Sequence, residues 1–383
     1  MHFPLSILVV VSLAAAAVAA PRTPLPVHKV SGQKRPDGYI VRLKKGASKS
    51  GLLKDPRVGA GVTHRDWTAI NGFAGTFTTE VLNELRANDA VESISEDGIS
   101  RGTALETNSP WGLSRISAKA VLAGAESDLA MIYNYTYSDD FQGQGVDVYV
   151  VDTGVNIDHV EFSGRATYGF SAPGLATLDD NGHGSNVASI VAGVRYGVAK
   201  QANIISVKVL DENSRGWNSD VISGFNFAMN AALASGRLSV VTASLESDIP
   251  DDNMDAAAAA VVSAGIPFIA AAGNRNSDEL HSPARVETII TVGAVDITDT
   301  KASFSNFGAG VDIWAPGVNI YGAYDSSDFA TSLFSGTSQA TPHVTGLVAL
   351  YLSQFGKTSP AAIATNLNRE NGILNAIRKS DLG

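Results

Sequence analysis

From Trp111 onward the chain alternates short, almost wholly apolar runs with longer helix-like stretches, and this alternation limits the fold more than any other feature. The runs are VDVYVVD (146–152), NIISVKVL (203–210), LSVVTASL (238–245), PFIAAAG (267–273) and TIITVGAV (288–295). HGSNVASIVAGV, NSDVISGFNFAMNAALAS and DAAAAAVVSAG fill gaps between them with helical character. A strand that is apolar at nearly every position is covered on both faces, as in a parallel sheet. Strand alternating with helix therefore predicts an α/β fold, a doubly wound parallel sheet with helices on both faces. In such sheets ligands bind at the carboxyl ends of strands, so chemistry is expected where the runs stop.

A smaller pattern precedes it. GYIVRL and GFAGTF read as strands, TTEVLNELRAND as a helix capped by Thr78 or Thr79, and AVESISED as a further strand. Residues 38–98 thus suggest a small α+β domain, marginal in stability for its size. GISRGTALETNSP, which follows, is rich in turn formers and reads as a linker. The formal charge of −10 is unevenly shared: residues 1–103 carry 13 Lys+Arg against 9 Asp+Glu, whereas residues 104–383 carry 15 against 29. The two segments can attract each other, and the acidic total argues against a nucleic-acid partner. With no cysteine in 383 residues, disulfides and thiolate metal sites are excluded. Leu5 to Ala20 is apolar, ends in small residues and falls short of a bilayer span, so residues 1–20 read as a cleaved export signal and the product as secreted and extracellular. No later segment reads as membrane-spanning. Asn134-Tyr135-Thr136 is a glycosylation sequon in what reads as a surface loop.

Three run ends carry reactive side chains. VYVVDTGV stops at Asp152, DDNGHGSNVAS places His183 before a helix, and SGTSQATPHVTG places Ser338 before another. Alone, Ser338 reads as a helix N-cap. Its second reading is a nucleophile, which needs a neighbouring base because a serine hydroxyl is weakly nucleophilic at neutral pH. Neutral histidine suits that task, and an aspartate behind it fixes the tautomer and stabilises the imidazolium. Gly182 and Gly184 are expected to let a substrate backbone approach. Pro342 is expected at an early helical position, where its missing N–H costs little. Asp-Thr-Gly also occurs in aspartic proteases, but it appears once here, so that chemistry would need a homodimer. Asn274, at the end of IAAAGN, reads either as a turn cap or as an oxyanion donor acting with the Ser338 N–H.

Taken together, VVDTGVNIDHVEF, DNGHGSNVAS, AAAGN, SPA, SFSNFG, APG and SGTSQATPHVTG resemble, in order, the subtilisin-like serine proteases, and most closely their proteinase K group. The resemblance implies a secreted endopeptidase that works as a monomer on proteins or peptides through an acyl-enzyme. It implies Ser338 as nucleophile, His183 as general base and acid, Asp152 as orienting carboxylate and Asn274 as oxyanion donor. It further implies a substrate cleft drawing on Gly216, Ser244, Leu245, Glu246 and Gly273. Residues 38–98 resemble the family's inhibitor-type propeptide, which implies a propeptide at 21–103 and self-cleavage near 101–104 releasing a peptidase domain at 104–383. A structural Ca²⁺ is implied on the carbonyls of Glu287 and Ile289 and the carboxylate of Asp312. The chain departs from the pattern at Asn186, where the family has histidine, and at Glu246-Ser247, where it commonly has two glycines. These two side chains are expected to intrude on the first subsites, with Glu246 either favouring Lys or Arg or simply facing solvent. The alternative is a catalytically impaired relative acting as a binding or inhibitory protein.

Overall fold

The computed structural model describes residues 23–30, 34–59, 62–98, 103–122, 127–367 and 377–378. The proposed export signal and part of the proposed cleavage region lie outside them. The chain divides between residues 100 and 101 into two compact units.

The first unit is a five-stranded sheet in the order β1-β5-β2-β4-β3, where β1 is Val27–His28, β2 Lys34–Leu43, β3 Val62–Trp67, β4 Gly72–Thr76 and β5 Val91–Gly98. Helix α1 (Lys49–Leu53) and helix α2 (Thr79–Ala87) accompany it, and the Thr78 hydroxyl caps α2 by accepting from the Val81 N–H. Val41, Phe73, Phe77, Val81, Leu85 and Ile94 form its core, so the sheet and α2 close on one apolar face.

The second unit opens with β6 (Thr103–Ser109), α3 (Trp111–Ser117) and β7 (Tyr133–Ser138). β6 pairs antiparallel with β7, which corrects two sequence expectations: most of the expected linker is a strand, and Asn134, though exposed, sits in a strand rather than a loop. The main sheet is built from β8 (Val146–Asp152), β9 (Ala166–Ser171), β10 (Asn203–Lys208), β11 (Leu238–Ala243), β12 (Phe268–Ala271), β13 (Ile290–Val295), β14 (Ile313–Pro316) and β17 (Ile377–Arg378). Its order is β17-β14-β13-β12-β11-β8-β10-β9; all pairs are parallel except β14 with β17. The helices are α4 (His183–Ala192), α5 (Asn218–Ser235), α6 (Asp252–Ser263), α7 (Thr337–Phe355) and α8 (Pro360–Leu367), and β15 (Ile320–Ala323) and β16 (Thr331–Phe334) form a separate hairpin.

The continuous apolar runs have the expected cause. On β8, Val148 and Val150 pack with Val187, Val191, Val344 and Val348 of α4 and α7. Tyr149 and Val151, pointing the other way, pack with Phe225, Ala228 and Ala258 of α5 and α6. Burying both faces removes the alternation that a one-sided sheet would show. The strand order leaps from β11 to β8 and on to β10, and the carboxyl ends of β8 and β11 are therefore neighbours. That reversal is where a doubly wound sheet opens a crevice.

Candidate active site

Asp152 is the last residue of β8 and is fully buried. His183 is the first residue of α4, whose N-cap is Gly182 in a left-handed conformation with φ 94°. His183 Nδ1 lies 2.7 Å from Asp152 Oδ1, which also accepts the Thr153 N–H at 2.8 Å. Asp152 is thus engaged by a histidine, the partner a serine hydrolase needs, which speaks against the aspartic-protease reading of Asp-Thr-Gly. Gly184 explains how α4 comes so close: a Cβ there would stand 2.0 Å from the Gly154 carbonyl oxygen. A Cβ on Gly182 would strike Tyr324 and Asp325. Both glycines therefore serve packing within the protein, not the approach of substrate, which corrects the expectation above.

Asp179, not singled out from the sequence, ties these pieces together. Its Oδ1 accepts from Thr153 Oγ1 at 2.9 Å, Gly182 N at 3.0 Å and Asn181 N at 3.1 Å. Its Oδ2 accepts from Ser185 Oγ at 2.6 Å and Ser185 N at 2.9 Å. One buried carboxylate thus fastens the turn after β8 to the first turn of α4, at the helix end where negative charge is favoured. Lys208, fully buried at the end of β10, adds a brace from Nζ to Thr153 O at 2.5 Å and Asp180 Oδ1 at 2.6 Å. A readable signal for Asp179 existed, an acidic residue just before a helix start. Lys208 carried only the hint of a lysine inside an apolar run.

Burial of the His183 ring disfavours its charged form, but the charge and hydrogen bond of Asp152 and the charge of Asp179 outweigh it. The net direction is a pKa above the ordinary 6.5. His343, on α7, behaves oppositely: burial pushes it down to about 4, and its Nδ1 lies 2.8 Å from Gln339 O. It is a neutral packing residue on α7.

Ser338 is the second residue of α7, and the N-cap is Gly336. It is therefore not a cap. Its hydroxyl donates to Ser244 O at 3.2 Å and is not bonded to His183 in this state. Pro342 is the sixth residue of α7, beyond the positions that lack an acceptor, so the early-position account is wrong. Its absent N–H leaves Ser338 O without a helical donor, and Ser244 Oγ donates to that oxygen at 3.0 Å. Proline and serine together lock the start of α7 to the end of β11.

Asn274 Oδ1 accepts the Thr337 N–H at 2.8 Å and the Thr337 hydroxyl at 3.0 Å. This fixes the amide plane and leaves its NH₂ for the other side. A Cβ placed on Gly336 would lie 3.5 Å from Asn274 Nδ2 and 3.6 Å from Ser338 N. Asn274 Nδ2 and Ser338 N are thus neighbours beside Gly336, with Gln339 Oε1 closer still, at 3.0 Å from the same point. His183, Ser338, Asn274, Gly216, Ser244, Leu245, Glu246 and Gly273 all line a single cleft of about 950 Å³. Asp152 lies beneath it. Asn186 is buried on α4, where its amide spans to Ala323 O and accepts from Gln339 Nε2. It is a packing link and stands outside the cleft lining. Glu287, Ile289 and Asp312 are brought together elsewhere, around a cavity of about 400 Å³.

A parallel α/β sheet with serine, histidine and aspartate gathered at strand ends and helix starts defines a serine hydrolase of the subtilisin architecture. The Subtilase family profile matches residues 143–376, and the chain belongs to that family. It is 41% identical over 347 residues to Subtilisin-like protease 2 of Pseudogymnoascus destructans, covering 86% of this chain and 84% of that one. To Subtilisin-like serine protease Pen ch 18 of Penicillium rubens it is 42% identical over 295 residues, covering 74% of this chain but 58% of that longer relative. The crystal structure of a cold adapted subtilisin-like serine proteinase superposes with a TM-score of 0.61 at 36% identity, over 71% of this chain and 98% of that one. The chain is accordingly a subtilisin-like serine protease. Among the described residues no helix is long and apolar enough to cross a membrane.

Proposed function

We propose that this chain is a secreted endopeptidase, made as a zymogen, in which Ser338, His183 and Asp152 form the catalytic triad and Asn274 and the Ser338 N–H hold the oxyanion. The observation that carries this is the 2.7 Å His183–Asp152 contact in the cleft that Ser338 and Asn274 also line, with Asn274 Nδ2 and Ser338 N both close to Gly336. Rotation of the Ser338 side chain away from Ser244 O hands its hydroxyl to His183, which removes the proton as the oxygen attacks the substrate carbonyl. Asp152 fixes the ring and stabilises the imidazolium; Asn274 and the Ser338 N–H stabilise the oxyanion. His183 then protonates the leaving amine, and water releases the acyl group by the same steps. Hydrogen bonds at active sites often tighten only when substrate is bound, which accounts for the resting Ser338–Ser244 contact. Gly216, Ser244 and Leu245 line the substrate cleft. The test is labelling with a fluorophosphonate: one label per processed chain on Ser338, none in Ser338→Ala, supports the triad. A processed wild-type chain that takes no label contradicts it.

Residues 21–103 are proposed to fold as an inhibitory propeptide, removed near 101–104. Their net +4 against −14 in the remainder supports attraction between the two. Purified 21–103 is expected to slow the processed enzyme, less so at high salt. No inhibition at any ionic strength overturns this. We further propose Ca²⁺ at Glu287, Ile289 and Asp312. Among the described residues no cluster of three His, Cys, Asp or Glu side chains forms, so the ion would rely on the two main-chain carbonyls with one carboxylate and water. The three residues line one cavity, and the Thr291 N–H donates to Asp312 Oδ2 at 2.8 Å, which fixes the carboxylate. The donor set fits a hard cation, which would act by holding the ends of β13 and β14 together.

A further inference from the structure

Glu246 does not face solvent, which corrects one sequence expectation: its side chain is 23% exposed, its Oε1 accepts from Arg275 Nε at 3.0 Å and its Oε2 is buried. The exposed face that the cleft and its chemistry leave unused lies on the ladder of β6 with β7. This ladder is a sheet of two strands. Its register sets Leu105 opposite Thr136, Glu106 opposite Tyr135 and Thr107 opposite Asn134. Successive side chains of a strand point to opposite faces. One face turns inward: the buried Tyr135 donates its hydroxyl to Val198 O at 2.8 Å, and Glu106 meets the buried Lys200 Nζ at 2.7 Å. The other face carries Leu105, Thr107, Asn134 and Thr136, all exposed. Leu105 and Ile132, the latter just before β7, are each 61% exposed.

Both working residues of the sequon Asn134-Tyr135-Thr136 therefore stand on the outer face, while Tyr135 between them anchors the strand inward. A sugar is added while an exported chain is still extended, so the strand that forms later is no obstacle to attachment. What the finished fold must supply is room, and the outer face supplies it. Attachment forms a bond from Asn134 Nδ2 to the anomeric carbon of an oligosaccharide carried on a lipid diphosphate. The bond from that carbon to the diphosphate oxygen breaks, the lipid diphosphate leaves with the electron pair, and Nδ2 gives up one proton. Leu105 lies diagonally across the ladder from Asn134 and Ile132 lies two residues before it, so each is about 7 Å away, under the first sugars. β6 is the strand that needs such cover. It begins at the proposed cleavage region, β7 is its one ladder partner, and two-stranded ladders are marginal alone. Segments that open locally are where proteases cut. We infer that Asn134 carries an N-linked glycan, and that this sugar covers Leu105 and Ile132 and protects β6 from proteolysis. The inference rests on the export proposed above.

The experiment expresses the full-length chain in a eukaryotic host and treats the exported protein with a peptide N-glycosidase, which removes the sugar and converts its asparagine to aspartate. Wild type is expected to lose mass and to show that conversion at Asn134. Asn134→Gln and Thr136→Ala are expected to show neither, and Thr136→Ser, which keeps the sequon, to behave as wild type. The four proteins then meet a trace of a broad-specificity protease, and cuts within 103–109 are followed by mass spectrometry. Such cuts track how often the strand is open and within reach, so they are expected about fivefold faster in Asn134→Gln and Thr136→Ala. Thr136→Ser is expected to stay close to wild type. Removing the sugar from folded wild type gives the same comparison even if a variant fails to fold. Exported wild type that shows no mass loss overturns the inference. So does a glycosylated wild type in which β6 is cut no more slowly than after its sugar is removed. A chain retained in the cell without a sugar shows that the export reading has failed, and this inference with it.

Discussion

The two walls of the cleft are braced differently. On the catalytic wall, where β8 ends and α4 begins, Asp179 accepts five hydrogen bonds and the His183 ring is held on Asp152. On the substrate wall, Glu246 has one partner, Arg275, and one buried oxygen with none. Chemistry needs a single geometry for every substrate, and Asp179, bonded through both oxygens, braces it, although Asp152 Oδ2, like Glu246 Oε2, is buried without a hydrogen-bond partner. The substrate wall carries Glu246 where the family commonly has glycine, and the His183–Asp152 contact is made all the same. The comparison makes a general prediction: damage to the catalytic wall scales all substrates alike, and damage to the substrate wall reorders them.

The largest effect is expected from Asn274→Ala, which removes one oxyanion donor. Loss of the corresponding donor in subtilisin costs about 10²–10³ in kcat, and the same range is expected here, with KM little changed and the factor constant across peptides. A loss that varies with the acyl-side residue would break the division between the walls.

Next comes Asp179→Asn. The amide can replace one oxygen at most, so at least the Ser185 or the Thr153–Gly182 bonds fail, at a cost of about 3 kcal/mol of stability if two charge-assisted bonds are lost. It also removes a negative charge that raises the His183 pKa. The charged groups around His183 are Asp152 and Asp179, with Asp180 paired to Lys208, and Asp325, whose own pKa is raised by burial and then by Asp179 and Asp180. The acid limb of kcat/KM should therefore move to lower pH in Asp179→Asn, while the substrate ranking stays that of wild type. An unmoved limb would leave Asp179 as mere packing.

The smallest effect lies outside both walls. Chelator should lower the Tm of the processed enzyme by a few degrees, and Asp312→Ala should abolish that sensitivity with no change in substrate ranking. A melt indifferent to chelator would rule out the proposed Ca²⁺.

These contrasts also explain what the sequence could reveal. Ser338, His183, Asp152 and Asn274 were readable because each occupies the end of an apolar run or the start of a helix, where fold and chemistry coincide. The central strands were readable because burial on both faces leaves a continuous apolar run. β9 (ATYGFS) and the four-residue β14 (IWAP) were not, since each is short or half-exposed and lacks that run. The Glu246–Arg275 pair joins residues 29 positions apart on different strand exits, and nothing local to either announces it. Pro342 was misplaced because the helix begins at Thr337, one turn earlier than the proline suggests, and the Ser338 carbonyl that it frees is taken by Ser244, 94 residues before Ser338.

The pH dependence of fluorophosphonate labelling tests the account most directly, because it reads the nucleophile and its base without involving the substrate wall. The raised His183 pKa has a sign in both activity and stability. The pair contributes stability that is fully present below about 6.5, the unfolded histidine value, and is lost as pH rises through the higher folded value. Labelling runs the other way, since only neutral His183 can accept the Ser338 proton. The labelling rate of Ser338 is expected to rise through one ionisation above pH 6.5 and to stay high at mildly alkaline pH. A rate that peaks near pH 4, or that ignores pH between 5 and 9, would contradict it.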